Sequence, residues 1–143
     1  MLRWVFCLAV AAAAVPAGAA EVRACGTAVP VSVDAASFSS AGRDASQARL
    51  DRLGSEVAAL FQAEALKLCE GDFLGAQDFV AVQGLLVQNG EGAAEPAIHR
   101  AGAHPGMLVF QYAFATGGAP EAAQVEQALR CWRRSDVEGC YED

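Results

Sequence analysis

The sequence predicts a two-layer α+β domain of order β-α-β-β-α, with a three-stranded, mainly antiparallel sheet and two helices packed on one face of it. Three patterns carry this prediction. Valines alternate with small or polar residues over residues 27–34, apolar residues recur every three or four positions over residues 44–70, and large apolar residues alternate again over residues 107–116. A period of two residues is typical of half-buried strands, and a period of 3.6 residues is typical of amphipathic helices.

The first strand and the long helix come first in the chain after a short leader. In the strand, Val29, Val31 and Val33 share one face, and Pro30 predicts an edge position because proline donates no hydrogen bond to a neighbouring strand. In the helix, one face carries the apolar residues Leu50, Leu53, Val57, Leu60, Phe61 and Leu68. Gly71 follows as the expected C-terminal cap.

Two further strands and a second helix complete the prediction. Residues 79–88 are apolar on both sides and end at Asn89-Gly90, which favours a strand, and residues 107–116 form the third strand, with its aromatic face in the core. A short extra strand near residues 96–101 is an alternative. Residues 120–134 form the last helix, where we interpret Arg130, Arg133 and Arg134 as stabilising the negative end of the helix dipole. The element order resembles a ferredoxin-like split βαβ without its last strand, which implies no activity.

Residues 1–20 have the composition of a secretory signal peptide. Arg3 precedes an apolar run over residues 4–15, and small residues follow it as far as Ala20. A charged start, a short hydrophobic stretch and a small-residue end are typical of such leaders, and the run is shorter than the roughly 20 residues of a membrane span. We expect cleavage after Ala19 or Ala20, which leaves residues 21–143 as a single periplasmic or secreted domain.

Charge and cysteine content limit the partners and the chemistry. Without Arg3, the chain has 9 basic and 17 acidic residues, a net charge of −8, which disfavours nucleic acid and anionic membranes as partners. Four cysteines remain after the leader, and an even number in an exported chain predicts two disulfides. The predicted directions of the elements favour the pairs Cys25–Cys69 and Cys131–Cys140. Since no C-x-x-C or zinc-type spacing occurs, we expect no metal and no cofactor.

Four residues are candidates for binding or chemistry. His99, Arg100 and His104 lie in the segment 89–106, which is predicted as a long loop, and such loops are often functional. Glu64 falls within the apolar stripe of the long helix. A buried carboxylate there would mark a site, but we expect Glu64 to reach solvent where the helix extends beyond the sheet. No Gly-x-Ser-x-Gly nucleophile motif occurs.

The sheet face away from the helices is the predicted surface for a protein partner or a homodimer. It is expected to carry apolar residues of the second and third strands, namely Val80, Val82, Leu86, Met107 and Val109. The alternative is that the 89–106 loop covers them. The leading hypothesis is therefore an exported, non-enzymatic binding module. The other two are a small metal-dependent or acid–base enzyme that uses the loop histidines, and a structural subunit of an envelope assembly.

Overall fold

The computed structural model describes residues 20–39, 46–100 and 106–134, and it confirms a mixed α+β fold. The strands are β1 (Ala20–Ala24), β2 (Thr27–Val33), β3 (Gly84–Asn89), β4 (Ala97–Arg100) and β5 (Met107–Tyr112). The helices are α1 (Ala35–Ser39), α2 (Gln47–Glu70), α3 (Ala76–Phe79), α4 (Phe114–Gly117) and α5 (Ala122–Arg134). The predicted first strand, the two long helices and the short strand near residues 96–101 are all present.

The sheet has five strands, and the prediction of a three-stranded, mainly antiparallel sheet was wrong. Its order is β1-β2-β3-β5-β4. The central strands β2, β3 and β5 run parallel, whereas β1 and β4 are antiparallel to their neighbours at the two edges. The difference arises because β4 reverses the chain between β3 and β5. That reversal makes β5 parallel to β3. The ferredoxin-like pairing of the first predicted strand with the third does not occur, because β3 lies between β2 and β5.

An N-terminal hairpin explains how Pro30 fits inside the sheet. β1 and β2 are joined by Cys25 and Gly26, with φ of 48° and 83°, and a two-residue hairpin turn of this kind needs positive φ at both positions. β2 is therefore not the predicted edge strand. Its ladder with β3 begins only at Val31, so Pro30 precedes the paired residues and no hydrogen bond of that ladder is lost.

The core lies between one face of the sheet and the two long helices. α2 contacts β1 and β2, α5 contacts β4, and the two helices contact each other, so both helices cover the same face, as predicted. The sheet contributes alternate residues to this core, namely Val29, Val31, Leu85, Val87, Leu108 and Phe110. Val57, Phe61, Leu68, Val125 and Leu129 meet them from the helices. The periods of two and 3.6 residues therefore identified the buried residues correctly.

The segment 79–88 is only partly a strand. Its first residue, Phe79, ends helix α3 and is buried in the core, and Val82 is buried there as well. Val80 is 77% exposed and lies outside the sheet. A hydrogen bond from the Gly75 N–H to an Asp78 carboxylate oxygen begins α3, and one from the Val82 N–H to the Phe79 carbonyl follows it. These local hydrogen bonds form a turn where the valines had predicted a strand.

The predicted apolar far face is consequently smaller than expected. Val80 and Val82 do not belong to it. Leu86 pairs with Val109, and Met107 pairs with Gly84, on the side of the sheet opposite the core residues. Leu86 and Val109 are 9% and 0% exposed, so they offer a partner little apolar area. Dimerisation through this face stays a prediction.

The third predicted strand ends at Tyr112, and the chain turns into α4. Phe114 of this helix is buried, with its ring centroid 6.0 Å from that of Phe110 and 6.3 Å from that of Phe38. Asn89 holds this region together, because its Oδ1 accepts the Ala115 N–H at 3.0 Å and its Nδ2 donates to the Ser37 carbonyl at 3.3 Å.

One predicted disulfide is confirmed. Cys25 and Cys69 are bonded, with their Cα atoms 5.5 Å apart, and they join the hairpin turn to the last turn of α2. Cys131 is also disulfide-bonded. Its predicted partner, Cys140, lies outside the described residues, so that pairing stays a prediction. Among the described residues, no helix is both long enough and apolar enough to cross a bilayer.

Candidate functional site

A polar pocket lies where α3, the end of β4 and the last turn of α5 meet. Its volume is about 220 Å³. The lining residues are Gln77 and Asp78 of α3, Arg100 of β4, and Trp132 and Arg133 of α5. The pocket therefore brings two guanidinium groups, a carboxylate, an amide and an indole ring to one place.

Asp78 fixes the position of Arg133. One carboxylate oxygen of Asp78 accepts a hydrogen bond from Arg133 Nε at 3.0 Å, and the other accepts the Gly75 N–H at 2.8 Å. The Asp78 side chain is only 13% exposed, so α3 holds it tightly. Within the described residues Arg133 is bonded only through Nε, so its two Nη groups can donate to another acceptor.

Arg100 enters the pocket from the edge of the sheet. Side chains two residues apart in a strand share a face, so Arg100 lies on the same side as Ile98, which is buried in the core. Its strand partner is Leu108, which is also buried. The Arg100 guanidinium forms no hydrogen bond or salt bridge with any part of the chain that the structure describes. The pocket therefore contains a positive charge that no described carboxylate neutralises.

Trp132 is the aromatic residue of the pocket lining. Its ring centroid is 5.4 Å from that of Phe79, and Phe79 in turn packs edge-on against Phe61 in the core. The indole is half-buried, because it packs against Phe79 and also lines the pocket. The surface of the pocket is mainly polar, so the indole contributes little apolar area to it.

The other arginines of α5 have partners of their own. Arg130 bonds Glu126 at 2.9 Å, and the guanidinium groups of Arg130 and Arg134 lie 4.9 and 5.9 Å from the centre of the Phe73 ring. The interpretation of these arginines as stabilising the helix dipole is therefore incomplete. Each contacts a particular side chain, and Arg133 belongs to the pocket.

The structure separates the predicted site residues. His99 and Arg100 are in β4, not in a loop, and they point to opposite faces of the sheet because they are adjacent in a strand. His99 is half-buried opposite Val109, and His104 lies outside the described residues. Within the described part of the chain, no group of three or more His, Cys, Asp or Glu residues is close enough to hold a metal ion.

Glu64 is buried and paired, and it does not line the pocket. It is 2% exposed, so the expectation that it reaches solvent was wrong. Lys67 Nζ donates to its two oxygens at 2.9 and 3.0 Å. The hydrogen bond to Glu64 raises the pKa of Lys67 above its ordinary value of 10.5, against a smaller opposing effect of desolvation. This pair accounts for a carboxylate inside the apolar stripe of α2.

Four of the five pocket residues were missed in the sequence. Trp132 follows Val125 and Leu129 at helical spacing, which is typical of a core residue, and Arg133 was assigned to the helix dipole. Gln77 and Asp78 belong to a helix of only four residues, preceded by Gly75, and the valines after it obscured that helix. Only the spacing Gly75-x-x-Asp78, in which the carboxylate reaches back to a free backbone N–H, was a local signal.

Comparison with known proteins finds no matching protein family, no similar curated protein and no similar solved structure. The chemistry of the pocket therefore carries the functional conclusion.

Proposed function

We propose that the protein is an exported, non-catalytic binding module that holds a small anionic ligand between Arg100 and Arg133. The observation that carries the proposal is the meeting of these two guanidinium groups in one pocket, one of them without a partner among the described residues. Guanidinium groups bind carboxylate and phosphate through paired, charge-assisted hydrogen bonds. The site is basic although the whole chain has a formal charge of −7.

The lining of the pocket favours binding over catalysis. The lining residues that the structure describes include no serine, cysteine or histidine that would act as a nucleophile or a proton carrier. Asp78, the one carboxylate among these described lining residues, already accepts hydrogen bonds from Arg133 and Gly75. The acid–base alternative uses His99 and His104; His99 lies on the other face of the sheet from Arg100, and His104 lies outside the described residues.

The size of the pocket limits the ligand. Pockets for drug-sized molecules measure about 300–1,000 Å³, whereas this one measures about 220 Å³. We expect it to accept a small molecule, or one acidic group of a larger one, with part of the ligand in solvent.

The proposal is tested by titrating the oxidised mature protein with small anions in a calorimeter. Charge-assisted hydrogen bonds contribute about 1.5–3 kcal/mol each, so Arg100→Ala should weaken binding about tenfold to a hundredfold. The matched control is Arg23→Ala, because Arg23 is an exposed arginine on β1, at the opposite edge of the sheet. Equal affinities for the wild type and Arg100→Ala, or equal losses in both variants, would disprove the proposal.

Export is a separate part of the proposal and has its own test. The leader-like composition of residues 1–20 supports it, as does the Cys25–Cys69 disulfide, since disulfides persist in oxidising compartments. Mass spectrometry of the native protein should find an N-terminus after Ala19 or Ala20. An intact Met1 with free thiols would contradict export.

A further inference from the structure

Arg100 and Arg133 bring two separate sets of donors to the same pocket. Arg133 Nε is bonded to Asp78 at 3.0 Å, so the part of this guanidinium that remains for a ligand is its pair of Nη groups. The Arg100 guanidinium enters from β4 and has no partner among the described residues. A ligand that uses both arginines therefore accepts hydrogen bonds from two groups that belong to different elements.

The charge of the lining favours an anion with more than one negative charge. Arg100 and Arg133 bring two positive charges and Asp78 brings one negative charge, so the described lining residues have a net charge of +1. The attraction between this net charge and an anion is proportional to the charge of the anion. A doubly charged anion is therefore attracted more strongly than a singly charged one at the same distance.

The two sets of donors also favour a particular shape of ligand. A carboxylate has one pair of oxygens, which a single guanidinium matches. A phosphate group has three terminal oxygens that accept hydrogen bonds, so two different pairs of its oxygens can face two guanidinium groups at once. The surface of the pocket is mainly polar, which suits a ligand group whose outer atoms are oxygens.

From the charge and the two sets of donors, we infer that the pocket binds a doubly charged phosphoryl group, supplied as inorganic phosphate or as a phosphate monoester, in preference to a monocarboxylate. The inference rests on the proposed function and names the ligand class of the same pocket. A phosphate monoester has a charge of about −1.5 to −2 near neutral pH. The pocket of about 220 Å³ holds the phosphoryl group, and the rest of a monoester extends into solvent.

Methyl phosphate and methyl sulfate are a matched pair of probes. Both have three terminal oxygens on a tetrahedral centre, but methyl sulfate has a single negative charge. A difference of one unit charge a few ångströms from a charged lining changes a binding constant about tenfold. In calorimetry at neutral pH and fixed ionic strength, the wild type should bind methyl phosphate about tenfold more tightly than methyl sulfate, and should bind acetate more weakly than methyl phosphate.

Variants of Arg100 test whether the charge of the lining causes this preference. Arg100→Gln reduces the net charge of the lining to zero, so the ratio of the affinities for methyl phosphate and methyl sulfate should fall towards one. Arg100→Lys keeps the charge and should retain the ratio. Arg23→Gln is the matched control, because Arg23 is an exposed arginine on β1, at the opposite edge of the sheet, and it should leave the ratio unchanged. Circular dichroism checks that each variant is folded.

Inorganic phosphate and glucose 6-phosphate distinguish the two sources of the phosphoryl group. Tighter binding of one identifies the source, and equal binding means that the phosphoryl group alone is recognised. Each of these results supports the inference if the tighter of the two ligands binds more strongly than methyl sulfate, and the inference is wrong if neither does.

The outcomes separate the inference from the proposed function. If anions bind the wild type and Arg100→Ala weakens their binding, the site exists. Methyl sulfate or acetate binding the wild type as tightly as methyl phosphate, or an unchanged ratio in folded Arg100→Gln, then overturns the inference alone. If Arg100→Gln does not fold, the wild-type ratio and Arg100→Lys decide the question. If none of the anions binds, the proposed function and the inference both fail.

Discussion

Removal of the Cys25–Cys69 disulfide tests how much of the stability depends on one covalent bond. The bridge closes a loop with a sequence separation of 44, which contains β2, α1 and all but the last residue of α2. In the chain-entropy description, a cross-link of this length removes about 13 cal/mol/K from the unfolded state, or about 4 kcal/mol at 25 °C. Domains are typically stable by only about 5–15 kcal/mol, so we expect the double variant Cys25→Ala/Cys69→Ala to be marginally stable.

The assay is urea unfolding of both oxidised proteins, followed by circular dichroism. The difference in the free energy of unfolding should be about 4 kcal/mol, and measurements in a thiol reductant provide the control. Under reduction the wild type also loses this bridge, so the two proteins should become nearly equal in stability. An oxidised difference below about 1 kcal/mol, or a difference that reduction does not change, would refute the loop-closure reasoning.

Three further predictions concern the interior and the ion pair of α2. Phe110→Ala should lower the free energy of unfolding by about 3–5 kcal/mol, because Phe110 is fully buried. Val80→Ala, at an exposed position, should change it by less than about 0.5 kcal/mol. Similar losses for the two variants in thermal or urea unfolding would contradict the difference in burial between Phe110 and Val80. Asn89→Ala should lower the free energy of unfolding by about 1–3 kcal/mol in the same assay, since the Ala115 N–H and the Ser37 carbonyl lose their hydrogen-bond partners. Asn89→Asp keeps Oδ1 as an acceptor and tests whether that one hydrogen bond restores part of the lost stability. The hydrogen bond to Glu64 raises the pKa of Lys67 in the folded state. The contribution of this ion pair to the free energy of unfolding is therefore complete below the ordinary pKa of 10.5 and is lost as the pH rises through the raised pKa. The urea midpoint of the wild type should therefore fall more steeply above pH 10.5 than that of Lys67→Met, and parallel curves would count against the ion pair.

The sequence predicted well those features that depend on local periodicity. The stripe of α2, the alternation in β2 and the alternation in β5 identified buried residues such as Val31, Phe61 and Phe110. These patterns are readable because a helix or a strand repeats its orientation every few residues. The pairing of Cys25 with Cys69 followed as well, since it needed only a strand and a helix that run in opposite directions.

The sequence misled where short segments depend on hydrogen bonds that leave no periodic signal. α3 has four residues and begins with one bond from the Gly75 N–H to Asp78, which the valines after it concealed. β4 also has four residues, which are too few to show a periodic pattern, and it is recognised in the structure by its antiparallel pairing with β5. Because the prediction had β4 only as an alternative, β5 was expected to run antiparallel to β3, whereas the two strands are parallel.

The amino-acid sequence by itself determined the mixed α+β class, the two long helices, the buried faces and one disulfide, since each depends on the spacing of residues along the chain. The tertiary structure alone decided the parallel centre of the sheet and the meeting of Arg100, Asp78 and Arg133 in one pocket. These three residues come from a strand and two helices that are separated along the chain. Their proximity follows from the packing of α5 against β4, and spacing along the sequence carries no record of that contact.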